Sequence, residues 1–181
     1  MLEARFPEVC ETQPELLAHH YTSAGLTDQA VDYWWRAGQR AGERSANQEA
    51  ISHLTTALAL LKTLPPTPDR IQHELLLQTT LGPALMATKG QAAPEVEHAY
   101  TRARDLCQQL GEPPQLFPVL FGLVRYYGMR GVLQTAHELG EQLLRLAQRG
   151  HDHAQLLAAH QALAVTFCWQ GEYTHAHAHA E

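Results

Sequence analysis

Apolar positions along the chain recur at spacings of three and four, and the breaks between these runs are short and rich in Pro and Gly, which predicts consecutive α-helices and almost no strand. Pro14 suits a first helical turn, and Leu16, Leu17, Ala18 and Tyr21 form an apolar face that Gly25 ends. A second helix over Asp28 to Ala41 carries Ala30, Val31, Trp34, Ala37 and Ala41 on one stripe. Ser45 and Gln48 predict a capping box for a third helix, in which Ala50, Ile51, Leu54, Leu58 and Leu61 repeat up to Leu64, where Pro65, Pro66 and Pro68 forbid continuation. Thr67 caps a fourth, with Pro68 in its first turn, Ile71, Leu75, Leu81 and Leu85 inward, a kink at Pro83 and an end at the Lys89-Gly90 turn. Pro94 opens a fifth, with Val96, Ala99, Ala103, Leu106 and Leu110 inward, closed by Gly111, Pro113 and Pro114. Leu116 to Met129 and Val132 to Ala147 read as one hairpin around Arg130-Gly131, and Ala154 to Trp169 with Tyr173 onward as another around Gly171 whose second helix is cut short.

Small residues return with the hairpins: Gly82, Gly122 and Ala164 in one register, Ala99, Ala136 and Ala176 in another. A Gly or Ala at a fixed point of each helix lets a neighbouring backbone come close, so the recurrence predicts stacked helix pairs and not one globular core. The expected fold is all-α, a right-handed α-solenoid of antiparallel helix hairpins with about nine helices. Residues 1–13 read as a lead-in from a preceding domain, 14–64 as a first three-helix segment, and 65–181 as hairpins of about 40 residues with the last one truncated.

The run Tyr21, Ala24, Gly25, Ala30, Trp34, Ala37 resembles the tetratricopeptide repeat (TPR), which orders an aromatic, a turn glycine, an alanine, a second aromatic and another alanine in this way. Looser matches follow at Leu81, Gly82, Leu85, Ala99, Ala103, then at Phe121, Gly122, Ala136, Leu143, then at Leu163, Ala164, Phe167, Gly171, Tyr173, Ala176. The unit of that repeat is about 34 residues, so longer helices are expected here. Such lengthened repeats resemble those of the large bacterial regulators that place an ATPase of the signal-transduction type before a helical array, including the maltose-activator type, and Leu2 to Pro7 with Gln13 to Tyr21, and Gly82 to Gly90, are similar to the junction after the ATPase in adenylate or guanylate cyclases. The resemblance spans nearly all of the chain and rests on structural motifs. It implies a sensing array that binds protein or peptide and biases an ATPase or cyclase outside these 181 residues.

Composition narrows the partners. The formal charge is -6, with 13 scattered Lys and Arg, where a nucleic-acid backbone would want a basic stripe. No glycine-rich loop ends in Gly-Lys-Ser or Gly-Lys-Thr, and the only lysines are Lys62 and Lys89, so no nucleotide-binding core is encoded. Cys10, Cys107 and Cys168 lack CxxC spacing and read as buried thiols, neither disulfide nor zinc ligands. Met1 to Pro7 lacks a secretory apolar core and no run is long enough to span a bilayer, which points to a cytoplasmic protein.

Twelve histidines invite a metal reading. His175 and His179 share a helix face, but further ligands are not supplied, and a solvated helix end is the better account of them and of His151, His153 and His177. His19 and His20 have no nucleophile beside them, and Glu95 with Glu97 or Glu138 with Glu141 read as solvent-facing charge, not as an acid and base pair. No catalytic residue, metal or cofactor is therefore expected, and the chain reads as a non-enzymatic protein-binding scaffold. Stacked as in TPR arrays, the first helix of each pair lines a concave surface, which places Met86, Tyr126, Tyr127, Gln161 and Trp169 along it. Tyr126 and Trp169 serve equally as filling between repeats.

Overall fold

The structure, a computed structural model, describes residues 13–180. Among the described residues there are nine helices and no strand: α1 (Pro14–Ser23), α2 (Thr27–Glu43), α3 (Asn47–Leu61), α4 (Pro68–Lys89), α5 (Pro94–Gln109), α6 (Leu116–Met129), α7 (Leu133–Gly150), α8 (His153–Gln170) and α9 (Tyr173–Ala178). The chain divides into two compact units, one up to Thr88 and one from Lys89 on. The proline break at Pro65 to Pro68 falls inside the first. Residues 1–12, which hold Cys10 and most of the expected lead-in, lie outside the described residues.

In the first unit α1 packs on α2, and α2 on α3. The stripe Ala30, Val31, Trp34, Ala37 and Ala41 is buried throughout, joined by Tyr33 and Gly38. Trp34 is fixed at its polar end as well, since Nε1 donates to Thr22 Oγ1 at 3.1 Å while the His53 ring stacks on it at 5.2 Å. Ala41, Ala50 and Ala84 form a small cluster that brings α2, α3 and α4 close together. Trp35 Nε1 donates to Thr80 Oγ1 at 3.2 Å, and His73 lies 3.2 Å from the Asp32 carboxylate, so α4 is also tied to α2 along its length.

The expected capping box does not form. Ala46 is the N-cap of α3 without a side-chain bond, and Ser45 has a φ of 60°, because it finishes α2 in the left-handed region instead of starting α3. Helix α3 stops at Leu61, three residues before Leu64, in a tightened last turn where Thr63 and Leu64 donate to carbonyls three residues back. Thr67 does cap α4, its Oγ1 accepting from the Arg70 N–H at 3.2 Å, and α4 continues through Pro83 as a single element.

In the second unit α5 packs on α6, α6 on α7, α7 on α8, and α8 on both α9 and α6. Ala99, Ala136 and Ala176 are all buried, as the repeat requires. The other register needs a correction. Gly131 and Gly171 hold the left-handed turns of successive hairpins, with φ of 73° and 81°, and counting from them Gly122 corresponds to Ala162, not to Ala164. Gly122 and Ala162 are buried while Ala164 is half-buried. The reason for Gly at 122 is steric, since a Cβ there would collide with the ring of Tyr100 from α5. Among the described residues no helix is long and apolar enough to cross a membrane.

Candidate functional site

Helices α6 and α8 lie side by side in the second unit and enclose an open groove of about 370 Å³. Phe121, Val124, Arg125 and Met129 line it from α6, Gln161, Val165, Thr166 and Trp169 from α8. Both helices are apolar on more than one face, so burying one stripe against the bundle leaves another at the surface. Met129, Val165 and Trp169 are 51%, 40% and 46% exposed, a concentration of large apolar side chains that a satisfied core would not leave in water. Gly128 seats the tryptophan: a Cβ there would strike the Trp169 six-membered ring, so its absence lets the indole lie on α6. Arg125 is the one charged side chain on the lining. Such a surface has the size and make-up to receive a few apolar side chains of a partner.

The five residues picked from sequence separate. Gln161 and Trp169 line the groove, whereas Tyr126 is buried and Tyr127 half-buried, and both phenols donate to the Glu97 carboxylate of α5, at 2.8 Å and 3.0 Å. Burial, followed by that carboxylate, holds both phenols above their ordinary pKa of 10.0, so they remain donors. Met86 is buried on α4 in the first unit. Sequence reasoning missed Phe121, Arg125, Met129 and Val165. The spacing 121, 125, 129 on α6 and 161, 165, 169 on α8 is the i, i+4, i+8 pattern of one helix face, and it was the signal available.

A larger groove of about 740 Å³ runs between α5, the start of α6 and α7. It is bordered by Arg104, Arg145 and Arg149, of which Arg145 pairs with Glu141 and Arg149 with Glu112, at 3.5 Å and 3.6 Å. Its leucines, Leu116, Leu120 and Leu146, are buried or half-buried, so it offers less apolar surface than the α6–α8 groove.

The histidines do not assemble a metal centre. Among the described residues no group of three or more His, Cys, Asp or Glu is placed to hold an ion. His175 Nδ1–H donates to the Glu172 carboxylate at 3.0 Å, and His179 meets His160 with 2.9 Å between their Nδ1 atoms. Those two ring centroids are 5.1 Å apart, so the rings meet nearly head to head, the geometry of a shared proton and not of two lone pairs converging on a cation. Cys107 is buried, and burial pushes its thiol up to about 11. Cys168 corrects the expectation of buried thiols: it lies exposed on α8.

Crystal structures of the nearly identical TPR-like repeats of a Podosopora anserina kinesin light chain-type protein superpose over almost the whole chain. One gives a TM-score of 0.69 at 21% identity, covering 97% of this chain and 92% of that one. A second gives 0.67 at 20%, covering 96% and 92%. The fold is TPR-like. At these identities the TPR likeness concerns architecture alone. No family model matches the sequence. An uncharacterized protein of Rhizobium meliloti (strain 1021) is 32% identical over 108 residues, a segment that is 59% of this chain and 10% of that protein. The chain thus spans about a tenth of the relative it matches.

Proposed function

We propose that this chain is a non-catalytic TPR-like scaffold that binds a protein or peptide in the α6–α8 groove, and that it serves in the cytoplasm of a bacterium as the sensing part of a signalling ATPase or nucleotide-cyclase regulator. The observation that carries the binding role is the exposed Trp169 indole, seated on Gly128 beside Met129 and Val165. Aromatics of this kind, anchored on one face and wet on the other, are where interface energy concentrates. Support for the regulatory setting comes from the cyclase-like runs in the sequence, from the lengthened repeats, which resemble those of the maltose-activator type, and from the relative being about ten times longer than the matched segment. A free-standing TPR adaptor is the second reading.

Peptides selected from a displayed library on the immobilised 181-residue chain test the first claim. Trp169→Ala and Val165→Asp should each weaken binding by about tenfold or more, as expected for loss of a central anchor. Selected peptides whose affinity ignores both substitutions would overturn the groove. The setting is tested by the size of the native product, detected with an antibody against this segment. A band several times larger than 20.2 kDa supports the regulator, and a band near 20.2 kDa supports the adaptor.

A further inference from the structure

The larger groove of the second unit, between α5, the start of α6 and α7, shares no lining residue with the α6–α8 groove. Its charge is opposite in sign to that of the chain: three arginines and one glutamate line it, whereas the formal net charge is -6. The arginines are not equivalent. Arg145 and Arg149, on α7, are exposed, and each has a carboxylate of its own chain nearby, Glu141 at 3.5 Å and Glu112 at 3.6 Å. Exposed pairs of this kind contribute about 1 kcal/mol or less, so an incoming carboxylate can replace them at small cost. Arg104, on α5, is half-buried, and among the described residues no carboxylate lies within ion-pair distance of it; its electrostatic neighbour is the neutral phenol of Tyr127. A guanidinium partly out of water and without a counter-ion is where an added carboxylate gains a charge-assisted, two-pronged hydrogen bond.

We infer that this groove binds an acidic peptide, with one carboxylate on Arg104 and others along Arg145 and Arg149. Charge complementarity selects the sign, and the layout selects a chain over a compact anion. The guanidiniums stand on two different helices instead of closing on one point, and Arg145 and Arg149 are spaced along α7 by about 6 Å, four residues of helical rise. Alternate residues of an extended peptide point the same way about 7 Å apart, so carboxylates at every second position match that spacing. Between the charges, the half-buried Leu116 and Leu146 give the intervening aliphatic side chains a floor. The Gln108 and Gln142 amides on the lining offer donors and acceptors to a peptide backbone. Inorganic phosphate would use neither. The groove holds about 740 Å³, room for a ligand of several groups. This site is additional to the α6–α8 groove and does not rest on it.

Fluorescence anisotropy on the full 181-residue chain tests this, with a labelled peptide of alternating glutamate and leucine as the probe. The expected result is saturable binding that raised ionic strength weakens, as for a partly exposed charge contact. The matched glutamine-leucine peptide should bind about tenfold more weakly or worse. Arg104→Gln should weaken the glutamate peptide about tenfold, the worth of one charge-assisted hydrogen bond, and Arg145→Gln or Arg149→Gln about twofold to fivefold each. All three changes keep a helix-forming residue, and circular dichroism checks that the helices persist. If Arg104→Gln unfolds the chain, the combined Arg145→Gln and Arg149→Gln variant, altered only at exposed side chains, decides instead. Arg44→Gln, the same loss of charge at an exposed position of the first unit, should leave the affinity unchanged. Absence of saturable binding, equal affinity for the glutamine peptide, or an affinity that ignores the groove arginines would each overturn the site. Equally tight binding of inorganic tripolyphosphate would overturn the peptide as its occupant.

Discussion

Helices α6 and α8 are the same element of successive repeats, and they differ in what lies on their outer faces. The α6 face is closed by α8, with Gly128 accommodating an indole, whereas the matching α8 face ends in a 72% exposed Leu157 and an exposed Cys168. Within the shared register the side chains diverge as well: Leu120 is buried in α6 where α8 carries the half-buried His160, and Phe121 is replaced by Gln161. A repeat therefore does not assign burial by itself. Each helix's outer stripe is core or surface according to what packs on it, which is the nearest-neighbour logic of a solenoid.

The largest expected effect separates the two helices directly. Phe117→Ala should cost about 3 to 5 kcal/mol, as for a buried aromatic, while Leu157→Ala should stay within about 0.5 kcal/mol in dilute solution. Denaturant midpoints of the two variants check this, and equal losses would show that the α8 face is covered after all. Next in size is Gly122→Leu, which drives a branched side chain into the Tyr100 ring and should cost about 1 to 3 kcal/mol. An unchanged melting temperature would mean that α5 and α6 are not held at the separation that Gly122 permits.

Much of this architecture was readable from the chain. The α2 stripe through Trp34, the buried alanines Ala99, Ala136 and Ala176, and the turns at Gly131 and Gly171 follow from period and punctuation, which are local and therefore visible in sequence. The errors share a cause. Ser45 has the residue type of a cap but the conformation of a helix end, Ala164 continues a spacing without occupying the crossing, and Cys168 has a buried residue's chemistry on an open face. Each depends on which helix is the neighbour. The groove suffered in the same way: Trp169 stood out as a large aromatic, but Arg125, Met129 and Val165 gain their meaning only from the pairing of α6 with α8.

The smallest effect comes from the position where Leu120 of one repeat gives way to His160 of the next. His160 hydrogen-bonds His179 after α9, and the His179 ring stacks on Phe167, against which His137 and His175 also pack. Burial, then the neighbouring His160, holds His179 below its ordinary 6.5, with Glu141 opposing and His175 and His137 adding to the shift. The folded chain thus binds a proton at His179 less readily than the unfolded chain does. Between the lowered value and 6.5 the unfolded state carries more protons, so this contribution is present above 6.5 and is lost as pH falls below it. His53 in the first unit, lowered by burial, gives a slope of the same sign, so the informative quantity is a difference between variants. Replacing His160 by the residue that α6 uses, His160→Leu, removes the imidazole partner and should flatten the fall in denaturant midpoint between neutral and mildly acidic pH, by less than one proton's worth. A slope identical to the parent's would show that the histidine pair does not couple α9 to α8.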